Sequence, residues 1–366
     1  EIMPSLVGSE MCIRDRCVIA YNEEQNINGI LECIKNQDYD HNNMEVVLVD
    51  GASTDNTRAL MCEFALDNKD EFRRVVVLDN PKKTLPSGWN VALREYKGDA
   101  IIKVDAHAVI PEDFVSKNVR VLETGEYICG GQRPNIIDKP TPFKETLLLA
   151  ESSMFGSSIA SYRNNPGKTY VKSLFHAAYR REVFEKVGFF NEELVRTEDN
   201  EIHYRMRKAG YKLCFDPDII SYQYTRSSLK AMLKQKYANG YWIGKTSKVC
   251  PKCLSIYHFV PFAFVSAIIA SGSVIGATGL AECIKKRHNH TLGKGISALR
   301  KVTVVLTTVM WVLYALMASG MAAVSAFKAE DKRNITNACL PVLFLLLHLS
   351  YGIGTIAGLM DKSKRG

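Results

Sequence analysis

The sequence predicts an α/β protein, a largely parallel central sheet flanked by helices, followed by C-terminal transmembrane helices. Three observations predict it. From residue 17 onward, short β-rich runs alternate with helical stretches, the pattern of βαβ units. Nearly all the acidic residues lie before about Asp218, whereas the last third consists of apolar blocks separated by short basic segments. Three of those blocks, 253–280, 302–327 and 337–360, contain no Lys, Arg, Asp or Glu, and each exceeds the roughly 20 residues of a bilayer crossing. One charge at a helix centre costs about 2.5–3.5 kcal/mol on insertion, so blocks without any fit burial in lipid better than an ordinary core helix. The 366 residues hold one sizeable α/β domain and an appendage.

Residues 1–16 stand apart. They form no basic-then-apolar leader, and 5–15 read as translated adaptor sequence, so an extraneous segment with its seam at Arg16 or Cys17 is expected. Strands are expected at 17–20, 45–50, 74–78 and 100–105, each ending on a polar or turn-forming segment. In open α/β sheets, ligands bind beyond the carboxyl ends of the strands. Three acidic loops fall there: Tyr21-Asn22-Glu23-Glu24, Asp50-Gly51-Ala52-Ser53-Thr54-Asp55 and Asp105-Ala106-His107. Asp55 has a structural explanation, because it lies at the positive end of a helix through Leu60 and Phe64 that Ser53 or Thr54 can cap. Asp50 has none. It ends the apolar run Val46-Val47-Leu48-Val49 and needs another partner.

Farther along, a helix is expected over 143–155, a strand over 170–178, and a short helix opening at Arg180-Arg181-Glu182. Ile202, Met206 and Ala209 recur at helical spacing, so 198–209 reads as a helix closed by Gly210, with Asp199 in its first turn. Residues 227–252, with Tyr237, Tyr241 and Trp242 among lysines, read as a basic amphipathic helix at a membrane interface.

The net charge of +8 does not mark a nucleic-acid binder, since no basic stripe interleaved with aromatics occurs in the head, 17–226. The excess flanks the first block instead: Lys230, Lys234, Lys236, Lys245, Lys248 and Lys252 before it, and Lys285, Lys286, Arg287, Lys294, Arg300 and Lys301 after it. Anionic lipid attracts such juxtamembrane cations. The 10 cysteines show no framework and read as reduced thiols; Cys250 and Cys253 lack the second pair that a zinc site needs.

Asp105 with His107 offers a carboxylate and an imidazole two residues apart, donors suited to a divalent metal across a diphosphate. Alone, Asp-x-His also describes an ordinary strand end. Its context is larger: Gly98-Asp99-Ala100-Ile101-Ile102-Lys103-Val104-Asp105-Ala106-His107-Ala108, together with Val18-Ile19-Ala20-Tyr21-Asn22-Glu23-Glu24 and Val49-Asp50-Gly51-Ala52-Ser53-Thr54-Asp55-Asn56-Thr57, resembles glycosyltransferase family two. The resemblance continues through Arg180-Arg181-Glu182-Val183-Phe184, Val187-Gly188-Phe189, Thr197-Glu198-Asp199-Asn200-Glu201 and Ala209-Gly210-Tyr211, covering about 17–242. It looks nearest to the succinoglycan glucosyltransferase-like subfamily, which also carries Asp-x-His and a membrane tail.

That resemblance implies a GT-A fold and transfer of a sugar, with inversion, from a nucleotide diphosphate such as a UDP-hexose. By position within the motifs it implies Asp199 as the catalytic base, Ala20, Tyr21, Glu23, Asp50 and Asp105 at the nucleotide, and Asp105 with His107 at a divalent metal, Mn2+ or Mg2+. His107 stands where most relatives have Asp, and an imidazole brings no negative charge, which favours manganese. Glu198, His176, Gln235 and Trp242 are expected on the acceptor or donor side, a satisfied structural histidine being an equal reading of His176. Gln235 and Trp242 fall where processive relatives carry Gln-x-x-Arg-Trp; the Arg-Trp pair is absent here, which favours addition of a single sugar.

The expected plan is an extraneous 1–16, a GT-A domain over 17–226, an interface helix over 227–252 and a membrane region over 253–366. Its partners would be a nucleotide-sugar donor, a lipid-linked glycan acceptor and membrane lipid, with no nucleic acid. The catalytic domain of such a multi-pass cell-membrane protein would be cytoplasmic, where nucleotide sugars are. Three crossings would place the cations of 285–301 outside, against the positive-inside tendency; a re-entrant first block, broken at Pro261, Gly272, Gly276 or Gly279, would return them inside. Two other function classes remain in view. A metal-dependent nucleotidyltransferase would want a glycine-rich, lysine-bearing loop after the first strand, where this chain has acids; a non-catalytic membrane scaffold would carry the same motifs without turnover.

Overall fold

A computed structural model of the chain describes residues 13–156, 167–288, 293–329 and 334–363. In chain order the elements are β1 (Ile13–Ala20), α1 (Ile27–Lys35), β2 (Glu45–Asp50), α2 (Thr57–Asp67), β3 (Arg74–Asp79), α3 (Leu85–Glu95), β4 (Ala100–Asp105), β5 (Ala108–Val109), α4 (Phe114–Glu123), β6 (Ile128–Gln132) and β7 (Asn135–Ile136). There follow α5 (Pro142–Ser152), β8 (Thr169–Val171), β9 (Ala177–Arg180), α6 (Arg181–Val187), α7 (Glu198–Lys208), β10 (Leu213–Ile220), β11 (Tyr222–Tyr224), α8 (Leu229–Val249), α9 (Val260–Arg287), α10 (Lys294–Lys328) and α11 (Leu340–Met360). They divide into a sheet unit, Glu1–Ile136 with Ala160–Thr225, and a helical unit, Ile137–Ile159 with Arg226–Lys364.

The sheet unit is built on eight strands in the order β3-β2-β1-β4-β9-β6-β10-β8, with a small second sheet, β5-β11-β7. Strands β1 to β4 pair in parallel, whereas β9 runs antiparallel between β4 and β6. Both faces are covered. On one, Val18, Val46, Leu48, Ile102 and Val104 meet Ile27, Ile30, Leu31 and Ile34 of α1 and Phe114 of α4. On the other, Ile19, Val47, Val49 and Ile101 meet Trp89 and Ala92 of α3, Val183 and Phe184 of α6, and Ile202 and Met206 of α7. A strand buried on both faces reads as a continuous apolar run, which is why β2 and β4 were legible to the residue. The α3 helix lies so near β1 that a Cβ on Gly88 would come within 2.6 Å of Ile19 Cγ2.

Several expectations change. The extraneous N-terminal segment falls mostly on residues outside those described, but the backbone of 13–16 extends β1 and pairs with both β2 and β4. The strand expected over 170–178 is two strands, β8 and β9, that pair with different neighbours. Neither Ser53 nor Thr54 caps α2, which begins at Thr57.

In the helical unit, α8 and α11 run side by side in the same direction. Gly240 and Gly244 of α8 face Gly354 and Gly358 of α11, and a Cβ would stand 2.0 Å from Tyr351 O at Gly240 and 2.0 Å from Tyr241 O at Gly358. Two interlocked Gly-x-x-x-Gly faces thus bring the backbones together. At the far end, Lys248 Nζ donates to Gly358 O at 3.2 Å and Asp361 O at 2.8 Å, and Lys245 lies 3.4 Å from Asp361. The helix over 229–249 is thus bound lengthwise to an apolar one. Helices α9, α10 and α11 lie within the segments long and apolar enough to cross a membrane. Helix α9 continues unbroken for 28 residues through Gly272, Gly276 and Gly279, without the break expected there. Among the described residues no disulfide joins the cysteines.

Candidate active site

The loops after β1, β2 and β4 are laced together. The Asn22 N–H donates to Ser53 Oγ at 3.0 Å, while Asn22 Oδ1 accepts from the Thr54 N–H at 2.8 Å. The Glu23 N–H donates to Thr57 Oγ1 at 2.8 Å, and the Glu24 N–H to Asp55 Oδ2 at 3.2 Å. Ser53 and Thr54 are thus spent on the neighbouring loop, and Asp55 serves the start of α2 by accepting from the Thr57 N–H and hydroxyl. Asn22 (φ 53) and Ala52 (φ 56) both lie in the left-handed region, which costs a non-glycine residue on the order of 1 kcal/mol or more. Gly51 lets the second loop pass the first, for a Cβ there would meet Ala20 O at 3.2 Å and Tyr21 Cβ at 3.1 Å.

Asp50 is buried, and its carboxylate accepts from the Ser53 N–H at 3.1 Å. That is the partner its position demanded. Tyr21 is exposed beside it.

The third loop joins the first through a side-chain pair. His107 Nδ1 lies 3.4 Å from Glu23 Oε1, and its Nε2 lies 3.1 Å from Gln223 Nε2. Since an amide nitrogen only donates, Nε2 accepts there and Nδ1 carries the proton toward Glu23. Burial raises the Glu23 carboxyl, but the hydrogen bonds from His107 and Asn26 outweigh it and hold the group below its usual range.

Asp105 ends β4, and His176 braces it. The Asp105 N–H donates to His176 Nε2 at 3.3 Å, and His176 Nδ1 stands 2.8 Å from Ser221 Oγ, so the ring proton sits on Nδ1. Burial, with Arg133 and Lys103 adding to it, pushes His176 below its ordinary value against the pull of Asp105. Burial alone would raise the Asp105 carboxyl, yet His176, His107 and Lys103 together hold it well below the carboxylate range. A glycine makes the arrangement fit: a Cβ on Gly130 would come within 2.6 Å of His176 O.

Asp199 opens α7, as expected, but its carboxylate does not serve that helix. It bonds to the ammonium of Lys103, which projects from β4 on the same side as Asp105. Glu198 Oε1 lies 3.9 Å from that ammonium, and Glu198 Oε2 finds no hydrogen-bond partner among the described residues. Burial raises both acids; the Asp199 charge beside Glu198 helps push the latter to about 8. Gln235 and Trp242 belong to α8 of the helical unit, where Trp242 is buried edge-on to Tyr241.

Lys103, Ser221 and Gln223 were missed in the sequence. Lys103 left a signal, a cation inside the apolar run Ala100-Ile101-Ile102-Lys103-Val104 of a strand otherwise legible as core. Ser221 and Gln223 left none, because their partners are far away in the chain.

Comparison with known proteins gives the following. The Glycosyl transferase family 2 model matches residues 16–188. The Succinoglycan biosynthesis protein ExoA of Rhizobium meliloti is 29% identical over 224 residues, 60% of this chain and 65% of that protein. A dolichyl N-acetyl-alpha-D-glucosaminyl phosphate glucuronosyltransferase of Methanococcus voltae is 27% identical over 257 residues, 68% of this chain and 78% of that protein. Among solved structures, Mannosyltransferase PcManGT from Pyrobaculum calidifontis, in complex with GDP-Man and Mn2+, superposes with a TM-score of 0.56 at 17% identity, covering 99% of this chain and 92% of that one. At that identity the likeness concerns the fold, a GT-A-like mixed sheet.

Proposed function

We propose, for a chain that carries a family 2 glycosyltransferase domain over residues 16–188, that it transfers one sugar from a nucleotide diphosphate, a UDP-hexose, to a lipid-linked glycan at the cytoplasmic membrane face. The product would enter a cell-surface or exopolysaccharide. One observation carries the reading: Asp50, Asp105 and His107 converge at the carboxyl ends of β2 and β4, in the same unit whose α7 sets Asp199 against β4.

In this reading Ala20, Tyr21, Glu23 and Asp50 line the place of the nucleotide, with Asp105 at its ribose. The acceptor oxygen forms its bond to the anomeric carbon on the side opposite the diphosphate, whose own bond to that carbon breaks, so the configuration inverts. The acceptor proton passes to an Asp199 carboxylate oxygen. Because that proton leaves late, a carboxylate is base enough.

Asp105 and His107 would hold the divalent ion. One carboxylate held well below its usual range and one imidazole would offer two ligands to an ion completed by the diphosphate and water. When bound, the ion stabilises the charge that develops on the leaving diphosphate. The imidazole favours manganese, the ion in complex with the Pyrobaculum mannosyltransferase. The names of the curated relatives support a glycan product and a lipid-borne acceptor. An unbroken α9 supports three crossings with 285–301 outside, which surface labelling of a cysteine placed at Lys294 tests.

A nucleotidyltransferase is disfavoured by the acidic loop after β1. The deciding experiment incubates the purified full chain with a panel of UDP-, GDP- and dTDP-sugars, with and without Mn2+. Release of UDP from a UDP-hexose, dependent on the metal, is expected. No release from any donor overturns the reading and leaves the scaffold.

A further inference from the structure

Lys103 occupies the middle of β4, 4% exposed, between strand neighbours that belong to the apolar core. Its ammonium bonds to Asp199, stands 3.9 Å from Glu198, and has the rings of Trp89 and Phe190 at 5.3 and 5.9 Å. A strand that needed only packing would carry an apolar side chain here. Replacing a buried ion pair by packed apolar groups is often neutral or stabilising, so stability is not what such a pair supplies best. What it supplies is orientation and charge at one carboxylate, and that carboxylate is Asp199.

The surroundings explain why a cation is needed. Asp199 acts against Glu198 on its own helix, Asp105 on β4 and Tyr179 on β9, while His176 ahead of β9 favours its charged form and His203 of α7 lies near Lys103. The acids would repel one another and take up protons if nothing positive lay among them. Burial drives Asp199 the same way, and Lys103 is the first of the influences that oppose it.

We propose that Lys103 is a positioning residue for sugar transfer, holding the Asp199 carboxylate ionised and oriented to take the acceptor's proton. The inference rests on the reading of Asp199 as the base. It also means that β4 serves both substrates, the donor through Asp105 and the acceptor's proton through Lys103.

The test measures UDP release from UDP-glucose, UDP-galactose and UDP-N-acetylglucosamine by the full chain in detergent with Mn2+, water serving as acceptor. Lys103→Gln is expected to lower kcat about 10- to 100-fold, part of what general-base catalysis supplies, while the donor KM holds. The acidic limb of the kcat profile should move up by about one unit, because removing a cation raises a neighbouring acid. Lys103→Arg, which keeps the charge, should restore both. A Lys103→Gln enzyme with wild-type kcat, or one whose kcat falls with an unmoved limb, overturns the proposal. If Lys103→Gln does not fold, Lys103→Gln with Glu198→Gln relieves the uncompensated charge, and the same shift is read against Glu198→Gln alone. Asp199→Asn separates the failures: undiminished release there sinks the base assignment, whereas its loss alongside a normal Lys103→Gln enzyme sinks the Lys103 proposal alone. A wild-type chain inactive on all three donors sinks the transfer reading and this one with it.

Discussion

In the sheet unit, Lys103, Asp105, Glu198 and Asp199 gather behind a strand and a helix, Lys103 and Glu198 buried and Asp105 and Asp199 partly so. In the helical unit two helices meet backbone to backbone, at Gly240 and Gly244 of α8 against Gly354 and Gly358 of α11, while Val304, Leu306, Leu313, Leu316 and Phe327 of α10 are exposed. Apolar side chains inside and charge at the surface describe a chain whose solvent is water. Exposed apolar faces with small residues inside, on helices long and apolar enough to cross a membrane, suit hydrocarbon as a solvent, where close packing rather than the hydrophobic effect joins helices. Even here charge is sometimes buried: Lys236 and Glu151 of the helical unit lie 3.6 Å apart and nearly covered. The contrast teaches where to expect each kind of damage, chemical in the first unit and architectural in the second.

The largest expected effect is chemical. Asp199→Asn should lower kcat by about 10²- to 10⁴-fold, the usual worth of a general base, while isothermal titration finds UDP binding retained. Binding lost along with turnover would instead give Asp199 a structural part.

Next comes the architectural counterpart. Gly358→Leu places side-chain carbons where a Cβ alone is 2.0 Å from Tyr241 O, and thermal unfolding in detergent should show a loss of about 3 kcal/mol, the upper end for overpacking. Gly272→Ala, at a glycine of α9 with nothing within 4 Å of a Cβ, should cost nothing. Equal loss in the two variants would break the comparison.

A smaller effect is expected where the sheet unit braces its metal pair. His176→Phe removes the acceptor for the Asp105 N–H and the partner of Ser221, and Mn2+ affinity in the presence of UDP, read by electron paramagnetic resonance, should fall about 10- to 100-fold. Unchanged affinity would reduce His176 to core packing.

The smallest effect is a slope. Glu198 is raised from 4.5 to about 8, so between those values the folded chain holds a proton that the unfolded chain has released. Stability should therefore fall as pH rises through that window, and Glu198→Gln should flatten the dependence of Tm on pH. A wild-type profile already flat from pH 5 to 8 would mean that Lys103 neutralises both acids.

What the sequence disclosed follows from how local each feature is. The strands Glu45–Asp50 and Ala100–Asp105 and the helix through Ile202 and Met206 are written in runs and periods of neighbouring residues, and they were readable. The break between β8 and β9 was not, because it is set by where His176 must meet Asp105 and by the insertion of β9 between β4 and β6. Ser53 looked like a helix cap because it precedes the helical run through Leu60 and Phe64, yet its hydroxyl accepts from Asn22, 31 residues back. Glycines in an apolar block suggested a broken helix at α9, where they are harmless, while the Gly354-x-x-x-Gly358 spacing in α11 carried a packing signal that went unread. At the site, Asp105, His107 and Asp199 could be named from motifs, but Lys103 between them could not be assigned a partner without knowing which helix lies over β4.

Helix α10 has 35 residues and α11 has 21, which at 1.5 Å per residue are about 52 and 32 Å. Were both to cross a membrane, a hydrocarbon layer of about 30 Å would match the second upright but not the first, which would lean or emerge. Lipids with longer acyl chains would ease that mismatch and shorter ones aggravate it. The thickness of the surrounding leaflets thus becomes a physical variable of the protein, to be controlled in any reconstitution as deliberately as salt.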